Sequence, residues 1–282
     1  MRVWFITGAS RGFGALVTKA VLDAGDAVVA TARSPQAIVD AVGNHPRLLA
    51  IRLDVTRASE ATEAADMAVR HFGRIDVVFN NAGYGLLGAV EEATAEEIED
   101  LYRTNVFGLL AVIRAVLPHM RARRSGHVLN MSSIGGYVGH QGWGIYCSTK
   151  FAIEGLTEAL AIELAPLGIK STVIEPGFFR TDFLDGQSLA VSPHMIDDYH
   201  ATSGAMRDFA ADANHNQPGD PARFAKALLA MVDSPDPPRR MPFGSDTVRA
   251  ISAKNAVVDA ELAKWRGMAL STDCPATSID AA

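Results

Sequence analysis

Val3-Trp4-Phe5-Ile6-Thr7 runs straight into Gly8-Ala9-Ser10-Arg11-Gly12-Phe13-Gly14, and a segment of helical period follows with Leu16, Ala20 and Val21 on one face. An apolar run, a glycine-rich turn and a helix in that order make a phosphate cradle. Glycines allow a tight turn and let the backbone approach a pyrophosphate, while the free N–H groups and positive dipole end of the helix attract its charge. The spacing here is G-x-x-x-G-x-G rather than G-x-G-x-x-G. The placement between strand and helix favours a dinucleotide loop of Gly8, Ser10, Arg11, Gly12, Phe13 and Gly14 over a purely structural turn.

The same alternation carries on outward. Ala27 to Thr31, Leu48 to Leu53, Ile75 to Asn80, His127 to Met131 and Ser171 to Glu175 read as further strands, most of them near-continuous apolar runs of the kind covered on both faces. Between them Ala61, Ala65, Ala68 and Phe72 repeat at helical spacing. Thr94 with Glu97 has the form of a capping box, starting a helix that carries Ile98 and Leu101 inward. This pattern predicts an α/β fold, a single doubly wound parallel-sheet Rossmann domain in three α/β/α layers over residues 1–265. Residues 180–221 break the period with Gly, Pro, Asp, His and Asn, which predicts a loop with short helices serving as substrate wall or lid. Arg223 to Val232 resumes a helical pattern, Met241 to Phe243 supplies a last edge strand, and residues 266–282 read as a poorly ordered tail.

Composition narrows the function. Of 282 residues, 48% are hydrophobic and 21% charged, enough to bury a full core, and the net charge of −6 argues against a general nucleic-acid surface. Cys147 and Cys274 make neither a disulfide framework nor a metal motif, and the eight histidines lack ligand spacing, so no metal site is read. The first apolar run stops at Thr7-Gly8 without the form of a secretory signal, and no stretch reads as a membrane span. A cytoplasmic chain without nucleic-acid or membrane partners is expected.

The end of the second strand bears on which dinucleotide is bound. An NAD site usually has a carboxylate there for the adenosine ribose hydroxyls, but Thr31-Ala32-Arg33 has none. Arg33 and Arg11 together suit a 2′-phosphate, which a guanidinium grips with charge-assisted, bidentate bonds, so NADP(H) is the expected cofactor.

Further along, Tyr146 and Lys150 are four apart, on one face of a helix. A tyrosine with its ordinary pKa of about 10 is a poor acid–base catalyst at neutral pH, and a neighbouring ammonium favours its phenolate. Ser133, at the end of the preceding strand, can donate a hydrogen bond to a carbonyl oxygen while Tyr146 protonates it.

Taken together, Thr7-Gly8-x-x-x-Gly12-x-Gly14, Asp54-Val55, Asn80-Asn81-Ala82-Gly83, Asn105, Ser133, Tyr146-x-x-x-Lys150 and Pro176-Gly177 resemble a short-chain dehydrogenase/reductase over roughly residues 3 to 180. The resemblance implies a catalytic tetrad of Asn105, Ser133, Tyr146 and Lys150. In it Tyr146 is general acid in reduction and base in oxidation, Ser133 orients the substrate oxygen, and Lys150 bonds the nicotinamide ribose. Asn105 is then expected to hold a water that links Lys150 to solvent. The resemblance also implies that Asp54 and Val55 flank the adenine, Asn81, Ala82 and Gly83 line the ribose side, and Pro176, Gly177, Phe179 and Thr181 approach the nicotinamide. The family commonly pairs through the helices holding residues 105–117 and 150–164, so a homodimer or homotetramer is expected by analogy.

The strings 81–88 and 146–156 are similar to those of the hydroxysteroid and retinol dehydrogenase branch, which implies a bulky apolar ketone, aldehyde or secondary alcohol as the small-molecule substrate. Ser133, His140, Trp143, Tyr146, Phe178 and Phe183 are the expected substrate contacts, with Tyr84, Leu86 and Val138 on bordering segments; core packing explains the aromatic ones equally well. Two alternatives remain. One is a ketoreductase for acyl chains on a carrier protein, whose basic docking patch would have to be Arg121, Arg123 and Arg124. The other is a sensor that binds NADP without turnover.

Overall fold

Seven parallel strands form the central sheet of the computed structural model, which describes residues 1–274. In chain order the elements are β1 (Val3–Thr7), α1 (Gly12–Asp23), β2 (Ala27–Ala32), α2 (Pro35–Val42), β3 (Leu48–Arg52), α3 (Ala58–Phe72), β4 (Val77–Asn80), β5 (Gly85–Leu87), α4 (Ala95–Tyr102), α5 (Leu109–Arg123), β6 (Gly126–Met131), α6 (Gly144–Leu164), β7 (Ile169–Pro176), β8 (Leu189–Val191), α7 (Ala205–Ala213), α8 (Pro221–Asp233), β9 (Arg240–Phe243) and α9 (Ser245–Leu270). The strand order is β3-β2-β1-β4-β6-β7-β9. The chain therefore winds outward from β1 to one edge, returns, and winds to the other, leaving a crevice between β1 and β4 at their carboxyl ends, where such sheets bind ligands.

Strand side chains alternate between two apolar cores, as a period of two requires. Val3 and Phe5 of β1 join Ala27 and Val29 of β2 against α3, α5 and α6, through Ala61, Ala65, Val112, Val116 and Ile153. Trp4 and Ile6 join Val28 and Ala30 against α1 and α8, through Val17, Val21, Phe224 and Leu228. Because both faces are covered, β1 and β2 are buried at every position, which is why the sequence shows them as unbroken apolar runs. The capping box read at Thr94 is present: Thr94 Oγ1 accepts from the Glu97 N–H (3.2 Å), and Glu97 Oε2 accepts from the Thr94 N–H (2.9 Å).

The irregular segment 180–221 is ordered around short elements. β8 pairs in parallel with β5, and α7 is tied to the body by Arg207, whose guanidinium meets Glu92 at 2.7 and 3.2 Å. Glu92 also accepts from the Ala89 and Ile196 N–H groups. The Arg207 bonds, against the opposing effect of burial, hold its carboxyl at about 2.

The helical run Ala95–Arg123 is long and apolar enough by composition to cross a membrane, but Leu109, Val112, Ile113, Val116 and Met120 on it are core residues. One expectation needs correction. The tail expected from residue 266 begins inside α9, which continues through Gly267 to Leu270. Residues 275–282 of that tail lie outside the described residues. α9 itself escaped the sequence reading because most of its apolar residues face no core among the described residues.

Candidate active site

The crevice opens into a cavity of about 890 Å³ that takes in the glycine loop, the end of β2, the β4 and β6 ends, the start of α6 and the segment 180–221, for which a lid is the expectation. Gly8 and Gly12 hold positive φ, +65° and +52°, a conformation that favours glycine. A Cβ on Gly14 would stand 2.2 Å from the Gly8 carbonyl oxygen, so that glycine serves close helix–loop packing and, unlike its neighbours, does not line the cavity. No side chain caps α1, and its first turn has no acidic residue. Its free N–H groups and dipole therefore face the cavity uncompensated, which fits a pyrophosphate.

β1 and β4 are laced together at this end. Asn81 Nδ2 donates to the Thr7 and Gly8 carbonyl oxygens at 3.0 and 3.2 Å, and Thr7 Oγ1 accepts from the Asn81 and Ala82 N–H groups. One strand further, Asn80 donates to Asn130 (2.9 Å), which donates to Thr157 (3.0 Å). On the other side Asp54 makes a turn with Thr56, its Oδ1 accepting from the Thr56 N–H and hydroxyl. Burial works against that charge, but the Thr56 bonds and the guanidinium charges of Arg57 and Arg33 hold the Asp54 carboxyl below its usual range.

Arg33 and Arg11 both line the cavity. Arg11 is engaged, donating to Gln187 Oε1 (2.8 Å) and to the Gln187 carbonyl oxygen (2.5 Å) across 176 residues of chain. This bridge from the glycine loop to the lid was invisible in sequence, where nothing marks Gln187.

Ser133, Tyr146 and Lys150 meet in the middle of the cavity wall. Tyr146 and Lys150 share a face of α6 and are 7% and 5% exposed, so the environment sets their chemistry. Burial drives the Tyr146 phenol above its ordinary range, with a hydrogen bond from Ser133 pulling the other way. Burial also pushes the Lys150 ammonium down to about 8, against the support of Glu154. Lys150 Nζ donates to the Met131 carbonyl oxygen (2.9 Å) and lies 5.6 Å from the Tyr146 ring centroid.

Asn105 sits behind the wall, in a π-helical turn spanning Arg103–Gly108. Its Nδ2 donates to the Tyr84 carbonyl oxygen (2.9 Å) and Thr149 Oγ1 (3.3 Å), and its Oδ1 accepts from the Tyr84 N–H (3.1 Å). A Cβ on Gly83 would lie 3.0 Å from Asn105 Oδ1 and 3.8 Å from Lys150 Nζ, so both flank one point beneath Gly83.

Of the expected substrate contacts, His140, Trp143, Phe178 and Phe183 line the cavity, as does Tyr84; Leu86 and Val138 do not. Trp143 and Phe183 stack at 6.5 Å, and each packs on the Tyr146 ring, at 5.5 and 5.8 Å. His140 Nε2 is buried without a hydrogen-bond partner, and burial lowers its pKa. Phe179 belongs as much to packing, since it joins Phe13 and Phe224 in an aromatic cluster under the glycine loop. Met206 and Phe209 of α7 complete the wall and were missed, because a short helix inside an aperiodic segment gives no pattern. On the lid, Asp182, Asp185 and His215 gather ligand-type atoms within 4.8 Å, but Asp185 already bonds Asn214 and lies 3.4 Å from His215.

Behind Lys150 lies a cluster the sequence reading also missed. Arg240 bonds Glu154, Glu175 (2.7 Å) and Glu158 (2.5 Å). Burial, then the Glu175 charge, pushes the Glu154 carboxyl up to about 8. The signal was there in the four-residue steps Tyr146, Lys150, Glu154, Glu158.

Comparison with known proteins identifies the family. The family of short chain dehydrogenases matches residues 2–190. Oxidoreductase BOA17 of Botryotinia fuckeliana is 37% identical over 273 residues, 96% of this chain and 99% of that protein. A 3-ketodihydrosphingosine reductase of Bacteroides thetaiotaomicron is 35% identical over 255 residues, 90% of this chain and 91% of that one. The crystal structure of a short-chain dehydrogenase from Streptomyces avermitilis superposes with a TM-score of 0.90 at 40% identity, covering 97% of this chain and 100% of that one. The structure of ElxO with NADP bound superposes at 0.72 and 26% identity, covering 88% and 99%.

Proposed function

The chain belongs to the short-chain dehydrogenase/reductase family and is an oxidoreductase, and from that premise we propose that it interconverts a bulky apolar ketone or aldehyde and its alcohol with NADP(H). The observation that carries this reading is the meeting of Ser133, Tyr146 and Lys150 on the wall of one cavity with the glycine loop. When bound, the nicotinamide supplies or accepts the hydride. The chain's own part is the proton. Tyr146, kept protonated by burial, donates to the carbonyl oxygen in reduction, and Ser133 donates a hydrogen bond to the same oxygen. Lys150 holds the nicotinamide ribose and returns a proton to Tyr146.

NADP(H) is favoured over NAD(H) by Arg33, which follows β2 where an NAD site keeps a carboxylate, and by Arg11, whose present partner is the neutral Gln187. Exchange of neutral acceptors for a 2′-phosphate gains charge-assisted bonds, roughly twice as strong. The apolar wall of Trp143, Phe178, Phe183, Met206 and Phe209 suits a bulky substrate, and the Bacteroides relative is named as a reductase of a keto compound. Carrier-protein docking has less support: Arg123 is spent on Asp76 and the Ile75 carbonyl oxygen, and Arg124 on the Pro166 carbonyl oxygen.

The test is loss of reduced-cofactor absorbance with NADPH and NADH in parallel, across bulky ketones, aldehydes and steroid ketones. Turnover favouring NADPH is expected. Turnover with NADH alone overturns the cofactor reading, and NADPH binding with no turnover on any carbonyl puts the sensor reading ahead.

A further inference from the structure

α9 leaves the body of the protein. Only its first turns are held: Thr247 is buried with its hydroxyl on the Phe243 carbonyl oxygen (3.1 Å), Ile251 is half-buried, and Asn255 Oδ1 accepts from the Tyr137 hydroxyl (2.6 Å). From Ala256 to Leu270 every residue is exposed. That is about 22 Å of helix at 1.5 Å per residue, a length at which an isolated helix is marginal in water.

The free half is not patterned as a solvated helix. Ile251, Asn255, Val258, Leu262, Trp265 and Ala269 recur at steps of four, three, four, three and four, the seam of a helix that packs on another helix. The first two of these face the body; Val258, Leu262 and Trp265 continue the same stripe beyond its edge and are 45, 57 and 53% exposed. Beside the seam, Asp259 and Arg266 occupy equivalent flanking positions seven residues apart. Asp259, Glu261, Lys264 and Arg266 sum to zero charge over residues 256–270, which disfavours an anionic lipid surface as the occupant.

We propose that the free half of α9 pairs antiparallel with α9 of a second copy of this chain. A parallel pairing would bring both bodies to the same end, where each body already covers its own seam at Thr247 and Ile251. Run antiparallel, the two bodies lie at opposite ends. Leu262 then packs on Trp265 of the second copy, Val258 on Ala269, and Asp259 faces Arg266 with the reciprocal pair on the other side of the two-fold axis. Every seam residue and both flanking charges find a partner in this one register. The overlap of about three turns buries less than the roughly 1,200 Å² typical of stable dimers, so this contact by itself gives a concentration-dependent association. It is separate from pairing through α5 and α6 and doubles whatever assembly that face forms.

Sedimentation velocity of the full chain from about 1 to 100 µM tests this, over the affinity range that small interfaces reach. A doubling of mass is expected in the wild type and none with Leu262→Asp/Trp265→Asp, whose exposed positions leave NADPH binding and the circular dichroism spectrum unchanged. Arg266→Asp should weaken association several-fold, and Asp259→Arg/Arg266→Asp should restore it. An unchanged mass in the seam variant overturns the proposal, as does a double charge variant no better than the single one. A wild type that stays undoubled but pelleted with phosphatidylserine vesicles would assign the stripe to lipid instead.

Discussion

Arg33 and Arg11 are expected to contribute unequally to NADPH binding, and the inequality follows from what each gives up. Arg33 stands at the exposed end of β2 with its guanidinium free of any ion pair among the described residues. Its loss removes a charge-assisted contact of about 1.5–3 kcal/mol, or 10- to 150-fold in affinity, and exposure with salt screening puts the effect in the lower half of that range. Arg11 must first surrender two bonds to Gln187, at about 0.5–1.5 kcal/mol each, which offsets most of the gain and leaves a net contribution of about 1 kcal/mol or 5-fold at most. Arg33→Ala should thus weaken NADPH by ten-fold or more, Arg11→Ala by only a few-fold, with NADH almost unaffected in both. Gln187→Ala removes the Oε1 acceptor and leaves the carbonyl-oxygen bond, so it releases Arg11 in part and should tighten NADPH slightly. Fluorescence titration with both cofactors at two salt concentrations measures all of this. Equal weakening of NADPH and NADH would refute the 2′-phosphate reading, and an Arg11 effect as large as that of Arg33 would refute the role given to Gln187.

Tyr146→Phe should abolish turnover while NADPH affinity stays within a few-fold; full activity in that variant removes Tyr146 as proton donor. Arg207→Ala leaves Glu92 with only its two backbone N–H bonds, a loss of about 1.5–3 kcal/mol that should appear as faster amide exchange in residues 196–213. Since the Glu92 pKa is depressed, that anchoring is present above about 4.5 and is lost as pH falls toward about 2, so exchange in the wild-type lid should rise only in acid. His140→Ala should reorder the preference among a panel of ketones, because its partnerless Nε2 belongs to the cavity wall; an unchanged ranking would show that it serves packing alone.

What was legible in the sequence is what repeats or what needs a special residue. The six buried strands, the glycine turn and the Thr94 cap have local signatures, and each appeared within a residue or two of its expected place. Tyr146 and Lys150 were readable because the helix repeat alone brings them to one face. Residues joined only by tertiary structure were not. Gln187 meets Arg11 through the path of the lid, and Arg240 reaches Glu154 and Glu175 because β9 lies beside β7. α2 was passed over although Ser34 caps it and Pro35 opens it, its eight residues being too few for a clear period. α9 failed for another reason: residues 244–265 were placed in the domain without an element of their own, because the stripe Val258, Leu262 and Trp265 has no core to face among the described residues.

The environments of Tyr146 and Lys150 also set the direction in which a proton moves between them. Burial makes the phenol a weaker acid than usual and the ammonium a stronger one, at about 8. If Tyr146 gives its proton to a substrate oxygen, as proposed, transfer from the Lys150 ammonium to the phenolate is downhill, which would reload the site for reduction. A lowered lysine pKa leaves the ammonium intact below about 8 and removes it as pH rises past that value. The reduction rate should accordingly hold level through neutral pH and fall through about 8, while alcohol oxidation should rise over the same interval. Glu154 supports the Lys150 charge only when ionised, and its own carboxyl is pushed up to about 8, so Glu154→Gln should leave both limbs in place below about 8 and steepen them above it. Steady-state rates in both directions from pH 6 to 10, with saturating cofactor, measure the limbs. A reduction rate level across the whole interval would mean that the proton reaches Tyr146 by a path that does not include Lys150.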